Sequence, residues 1–327
     1  MTTTLATTPF RIAPEALPGG VAPAERPQAA RIHAIGIGDP AAPAAIAVLR
    51  QRRTSEMAVV IGWHANGHGA ALAEGVFAFA EAEGIRLLRA TPDQPEAIAD
   101  LALADTGRGY AQRWIGPEIV SQYETGQYRQ STGFTCGPVS LCMAMAPEVS
   151  RSEEIAIWRE ATSIVSLTGP GGCDPYGLAL SCAKRGFDVT VYFDATDAVL
   201  VDRASTEEKK GIIRFVQAEF REQAQASLPI IPTAITPEQL TEAVRTGAQV
   251  ILLIDQCHTH DHHAPHWILI HAERDGLFLV NDPWSEPEDG EGIADIDCTP
   301  TTLENLMLMG AYGDPAYHGA LILRRAG

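Results

Sequence analysis

Three short apolar stretches late in the chain constrain its fold most: residues 249–255 (QVILLID), 266–272 (HWILIHA) and 276–282 (GLFLVND). Each has strand length, is rich in Ile, Leu or Val, and ends on or runs into polar or turn residues. The second and third are joined through Arg274-Asp275-Gly276, a hairpin signal. Helical patterns precede them. Residues 135–146 (TCGPVSLCMAMA) open on Gly-Pro, and residues 152–162 space Ile155 and Trp158 for a core face. Asp174-Pro175 supplies a cap and a first-turn proline for a third helix, before a strand FDVTVYF. Ser205-Thr206-Glu207-Glu208 reads as a capping box for a long helix over 205–226, with Ile212, Phe215, Val216 and Phe220 at helical spacing. Thr236-Pro237 starts one more helix, ending at Gly247. Helices first and strands last imply an α+β domain with an antiparallel sheet.

The first third of the chain alternates differently. Residues 1–30 are rich in Thr, Ala and Pro and read as a flexible tail. From residue 31 to 117 the expected order is strand (RIHAIGIG), helix (APAAIAVLRQRR), strand (EMAVVIGW) and helix (GAALAEGVFAFAEAEG). Leu72, Val76, Phe79 and Ala80 share one face of that second helix. A strand (IRLLRAT), a helix (PEAIADLALADTG) and a strand (GYAQRWIG) complete a small α/β domain. The expected division is therefore 1–30, 31–117 and 118–327, with no internal repeat.

Charge and cysteine usage narrow the function. Lys plus Arg number 24 against 41 Asp plus Glu, a net charge of −17. Such a chain repels phosphate backbones and anionic lipid, so neither nucleic acid nor a membrane surface is expected as a partner. No apolar run is long enough to span a bilayer, and the N-terminus lacks a basic start followed by an apolar core. A cytoplasmic location is expected. The six cysteines have no paired spacing and read as reduced thiols, Cys142 and Cys182 as small buried hydrophobes. No phosphate-binding G-x-x-x-x-G-K-[ST] loop occurs.

Cys136 is different, because it opens a helix. A thiol attacks as thiolate, and a helix N-terminus favours negative charge through its unpaired N–H groups and dipole. Gly137 leaves room for close approach, and Pro138 has no N–H to leave unpaired. A histidine partner completes the activation. Of ten histidines, His266 begins an apolar strand, and His271, five positions on, faces the other way by period-two alternation. Folding the hairpin at residue 274 brings His266 opposite Asp282, which would orient the imidazole through its second nitrogen. Gln130, six residues before Cys136, offers a side-chain amide to an oxyanion, although a glutamine on a polar loop is usually solvated.

Gln130-x5-Cys136-Gly137-Pro138, the His266-Trp267-Ile268-Leu269 strand and Asp282-Pro283 together resemble the papain-like peptidases that process double-glycine bacteriocin leaders. The chain is more similar to their stand-alone bacterial relatives, through TCGP, IWREAT at 157–162, GGCxPxGL at 171–178 and APHW at 264–267. The resemblance spans roughly residues 120 to 325. It implies a papain-like α+β domain with Cys136 as nucleophile, His266 as base, Asp282 as orienting acid and Gln130 as oxyanion donor. The leader-processing enzymes are usually fused to a transporter with an ATPase, of which this chain has neither spans nor phosphate loop, and the helix at 205–226 looks like an insertion. Their double-glycine substrate is therefore not carried over. The region 31–117 is faintly similar to the acetyl-CoA-binding half of an N-acetyltransferase, through Asn66-Gly67-His68-Gly69-Ala70-Ala71. The residue before the first glycine is usually basic there and is Asn66 here, so a degenerate scaffold is expected.

The expected function is cleavage of an amide or peptide bond through an acyl-enzyme. An amine or thiol as second nucleophile would make the protein an amide ligase or acyltransferase, and the contrasting reading is a silent peptide-binding module. A peptide or small amide is the expected partner, with oligomeric state open and no cofactor. Gly172, Cys173, His263 and Trp284 are candidates for lining the cleft, though Gly172 and Cys173 also suit a glycine-rich helix start and Trp284 suits core packing. The run Cys257-His258-Thr259-His260-Asp261-His262-His263 has metal-binding composition, but it links two strands and no second ligand cluster is apparent. A place on the cleft rim is favoured, with no metal.

Overall fold

The computed structural model describes residues 9–17, 30–145, 149–163 and 171–325. They divide into two compact units. One comprises Met1–Glu118, His258–Asp261 and Ser285–Thr302; the other comprises Ile119–Cys257, His262–Trp284 and Leu303–Gly327.

In the first unit the strand order is Phe10–Ile12, Ala30–Asp39, Ala42–Arg52, Met57–His64, Leu87–Ala90, Ala111–Trp114, Ala104–Asp105. All neighbours are antiparallel except Met57–His64 with Leu87–Ala90, which helix Gly69–Ala82 connects as a crossover. Leu72, Val76, Phe79 and Ala80 of that helix are buried with Ile35, Ile37 and Leu49 of the sheet, the face their spacing predicts.

Two expectations fail here. Residues 42–53 are not a helix: Ala42–Arg52 is a strand between two partners. Both its faces are covered, so its apolar run lacks alternation and looks like either element. The deciding signal is local. Asp39 Oδ1 accepts the Ala41 N–H at 2.9 Å, closing a tight turn that sends the chain straight back. The tail is the second departure. Residues 1–8 and 18–29 lie outside the described residues, but Phe10–Ile12 pairs with Gly36–Ala34. The Phe10 ring occupies the space a Cβ on Gly36 would need, and Arg11 pairs with Glu83.

In the second unit the sheet runs Leu277–Asn281, Pro265–Arg274, Gln249–Asp255, Gly319–Arg325, Phe187–Phe193, Ile230–Ile231. It is antiparallel up to the last, parallel pair. Alternation sorts its side chains into two cores. Ile251, Leu253, Trp267, Leu269, Leu321 and Leu323 face helices Cys136–Met145 and Pro175–Lys184. Val250, Leu252, Ile254, Ile268 and Ile270 face Leu240 and Val244 of helix Pro237–Arg245. The central strand Gly319–Arg325 is absent from the predicted elements. The long helix is Glu207–Ser227, capped by Thr206 alone: its hydroxyl accepts from Lys209, which cannot return the bond as a capping-box Glu or Gln would. Its apolar spacing also misleads, since Phe215 is exposed while Ile213, Gln217 and Ala224 are buried. Among the described residues no helix is long and apolar enough to cross a membrane.

Candidate active site

Helix Cys136–Met145 starts against the middle of the sheet because its first turn is small. A Cβ on Gly137 would lie 3.0 Å from Leu178 Cδ2 and 3.1 Å from Trp267 Cδ1. The Ser140 hydroxyl donates to the Trp267 carbonyl at 3.1 Å, fixing the helix to the strand that carries His266.

The preceding loop is held from below by Glu154, which sequence reading missed. Its buried carboxylate accepts the Ser131 N–H at 2.8 Å and the Thr135 hydroxyl at 2.5 Å, both on Oε1. Glu154 lies in the first turn of helix Arg151–Ala161, where an acidic residue ordinarily favours the dipole from solvent. Nothing in its local pattern marks it as buried.

His266 lies between Cys136 and Asp282. Its Nε2 is 2.7 Å from Asp282 Oδ1, which also accepts the Trp284 N–H at 2.8 Å. The ring is hydrogen-bonded to the Cys136 thiol. With Nε2 taken by the carboxylate, Nδ1 is the nitrogen left for sulfur. His271 is held elsewhere, its Nε2 3.0 Å from Asn281 Oδ1 and its Nδ1 2.9 Å from Ser121 Oγ.

The expected register is off. Leu269 pairs with Asn281 and Arg274 with Leu277, with a bulge at His271. Continued three pairs beyond Leu269, that register sets Asp282 opposite Ile268 and His266 opposite Trp284. The two meet because Asp282 follows the last strand residue and reaches across diagonally, two positions from directly opposite.

The electrostatics follow from this geometry. Burial raises the Cys136 pKa, but the His266 hydrogen bond and charge outweigh it, helped by backbone N–H groups of Trp267 and Gly137, so the thiol ends below its ordinary value. Burial lowers the His266 pKa, and the Asp282 carboxylate, with Cys136 behind it, lifts it instead to about 9. The pair thus favours thiolate beside imidazolium. Other thiols go the opposite way. Burial and nearby Glu153 and Glu154 push Cys142 up to about 12, and burial beside Cys136 raises Cys173 well above its ordinary value.

Gln130 is buried, 6% exposed. Its Nε2 donates to the Thr132 carbonyl at 2.7 Å and its backbone N–H to the Pro283 carbonyl at 2.8 Å. That second bond ties the Gln130 loop to the Asp282 loop. Gly172 and Cys173 line a narrow apolar cavity with Cys136, Leu200, Trp267 and Tyr317. A second cavity of about 260 Å³ adjoins Cys136, with Phe134, Arg203 and Gln217 in its walls. His263 and Trp284 line neither. His263 turns to Asp255, and Trp284 carries the Arg129 guanidinium on its ring, 5.1 Å from the centroid.

The glycine-rich turn of the first unit does not fit a pyrophosphate. Asn66 and Gly67 both have positive φ, as a tight turn requires. Yet a Cβ on Gly69 would collide with the Asp100 carboxylate, which accepts the Trp63 indole N–H at 2.8 Å. A fixed negative charge already stands at the helix start where an anion would dock.

The family described as "DUF3335: Peptidase_C39 like family" matches residues 125–324. Among solved structures, the chain is similar to the peptidase domain of Streptococcus ComA, a bi-functional ABC transporter involved in a quorum-sensing pathway. That match has 11% identity over 62% of this chain and 99% of the other, with a TM-score of 0.32. A C39-like peptidase from Bacillus anthracis matches at 9% identity over 64% and 100%, TM-score 0.34. A tandem GNAT protein from the clavulanic acid biosynthesis pathway matches at 11% identity over 85% and 75%, TM-score 0.23. No curated protein matches.

Proposed function

Because this chain belongs to the Peptidase_C39-like family, we propose that it is a thiol-dependent hydrolase that cleaves a peptide or amide bond through Cys136, His266 and Asp282. The observation that carries the reading is His266, whose Nε2 lies 2.7 Å from Asp282 Oδ1 and whose ring is also hydrogen-bonded to the thiol of Cys136. The Cys136 thiolate attacks the carbonyl carbon. The oxyanion that forms is met by a buried amide: Gln130 spends one Nε2 hydrogen on Thr132 and has a second to offer. His266 as imidazolium donates its Nδ1 proton to the leaving amine, and Asp282 holds the ring throughout. Neutral His266 then takes a proton from water as the water attacks the acyl-enzyme, and the thiolate–imidazolium pair is restored.

The test compares wild type with Cys136→Ala on a peptide-rich lysate of the source organism, with products read by mass spectrometry in water enriched in ¹⁸O. Hydrolysis predicts new peptides with ¹⁸O at their C-termini in the wild-type digest alone. New amide-linked products would replace water by an amine as second nucleophile. Identical profiles would refute the enzyme reading.

A further inference from the structure

The run from Cys257 to His263 has no part in the chemistry proposed above. The structure divides its histidines. His260 is buried, with Nε2 3.2 Å from Glu291 Oε2 and 3.4 Å from Arg52 Nη2. His262 Nε2 is 3.1 Å from Gln256 Oε1. His263 faces Asp255, its Nδ1 2.7 Å from Oδ2. Ligand atoms of Asp255, Cys257 and His263 all lie within 4.8 Å of one another.

We propose that Asp255, Cys257 and His263 form a binding site for a zinc-type divalent ion, with a fourth position open to solvent. One carboxylate oxygen, one thiolate and one imidazole make a donor set that suits zinc and is wrong for calcium or magnesium, which take oxygen. The carboxylate is already oriented. Asp255 Oδ1 accepts the backbone N–H groups of Cys257 at 3.1 Å and Ala264 at 3.2 Å, which leaves Oδ2 for the site. Such outer bonds are what hold a ligating carboxylate in place. The adjustment between oxygen and nitrogen is small. Around a tetrahedral zinc, oxygen and nitrogen ligands stand about 3.3 Å apart, so the 2.7 Å contact opens by a few tenths of an ångström. The ion has a way in, because the His263 side chain is 81% exposed while that of Asp255 is 8% exposed.

The site lies where it would matter. Asp255 pairs with Pro265, and the next pair is Ile254 with His266. Gln256 also donates its N–H to the Ala264 carbonyl at 2.9 Å. A bound ion would clamp both ends of the 256–264 connection one residue pair from the imidazole. The ion is not part of the hydrolytic step, so its binding stands or falls apart from that reading.

Cobalt(II) tests this directly, because thiolate ligation gives it an intense charge-transfer absorption. The full chain carrying Cys136→Ser is used, to remove the other thiolate–imidazole pair. About one equivalent of cobalt should bind with that absorption, and zinc should displace it. Adding Cys257→Ser should abolish the band, and adding His263→Ala at its exposed position should weaken cobalt binding at least tenfold. No band in the Cys136→Ser chain, or a band that survives Cys257→Ser, overturns the proposal.

Discussion

Replacing Asp282 by Asn tests the electrostatic core of the site. Asn keeps the shape and an oxygen that can accept from the His266 Nε2–H, and it removes the charge. His266 stands at about 9 instead of its ordinary 6.5, a displacement of roughly 3 kcal/mol at about 1.36 kcal/mol per pKa unit. Burial acts against that rise, and Asp282 is the largest group acting for it, ahead of Cys136. Losing the charge while keeping the hydrogen bond should lower the imidazolium's pKa by about one to two units. The Cys136 thiolate loses its counter-charge by the same step, so its own titration moves to higher pH. The assay is the rate of alkylation of Cys136 by iodoacetamide across pH, followed by peptide mass spectrometry. In wild type, reaction should persist well below the range of an ordinary thiol. In Asp282→Asn the rising limb should shift upward, and the rate near pH 6 should fall about 10- to 100-fold. Circular dichroism melting of the variant checks that the fold is intact. A folded Asp282→Asn whose pH–rate profile lies within twofold of wild type would show that Asp282 does not hold the thiolate through His266.

Two further substitutions probe how the nucleophile is positioned. Glu154→Ala leaves the Ser131 N–H without its buried acceptor, whereas the Thr135 hydroxyl can turn to Thr132 Oγ1 at 2.9 Å, which should cost about 1–3 kcal/mol for the stranded donor; a lower melting temperature with slower Cys136 alkylation is expected, and unchanged values for both would reject this role. Gly137→Ala forces a Cβ to 3.0 Å from Leu178 and 3.1 Å from Trp267, and overpacking of this kind should cost about 1–3 kcal/mol. Chemical denaturation would register it as a lower midpoint at unchanged slope, and a midpoint equal to wild type would mean that the helix can retreat freely.

Much of the site is legible in the sequence because its parts rest on local rules. A cysteine opening a helix and a histidine opening an apolar strand are visible without long-range contacts, whereas Gly172 and Cys173 suit a glycine-rich helix start as well as a cleft wall, and only packing puts them beside Cys136. What pattern reading loses is what only packing decides. The register of the hairpin depends on a bulge at His271 that no local signal announces. Glu154 looks like a solvent-facing first-turn residue until the loop before Cys136 closes over it. The strand Ala42–Arg52 is buried continuously from Ala45 onward, which erases the alternation that would identify it. His263, expected on the cleft rim as part of a loop linking two strands, has its side chain turned onto Asp255, a contact that no local signal announces.

The discontinuity of the first unit sets an order of events during synthesis. Arg50 and Arg52 are buried against Asp295 and Glu291, and the Arg89 guanidinium donates to the carbonyls of Ala294 and Asp297. These partners leave the ribosome some two hundred residues after the arginines do. Until then Arg50 and Arg52 lack the carboxylates that Asp295 and Glu291 supply in the folded unit, and burying a cation away from its carboxylate is costly. The portion made first should therefore wait for residues 285–302, and a chain stopped after Glu118 should remain incompletely folded however long it is given.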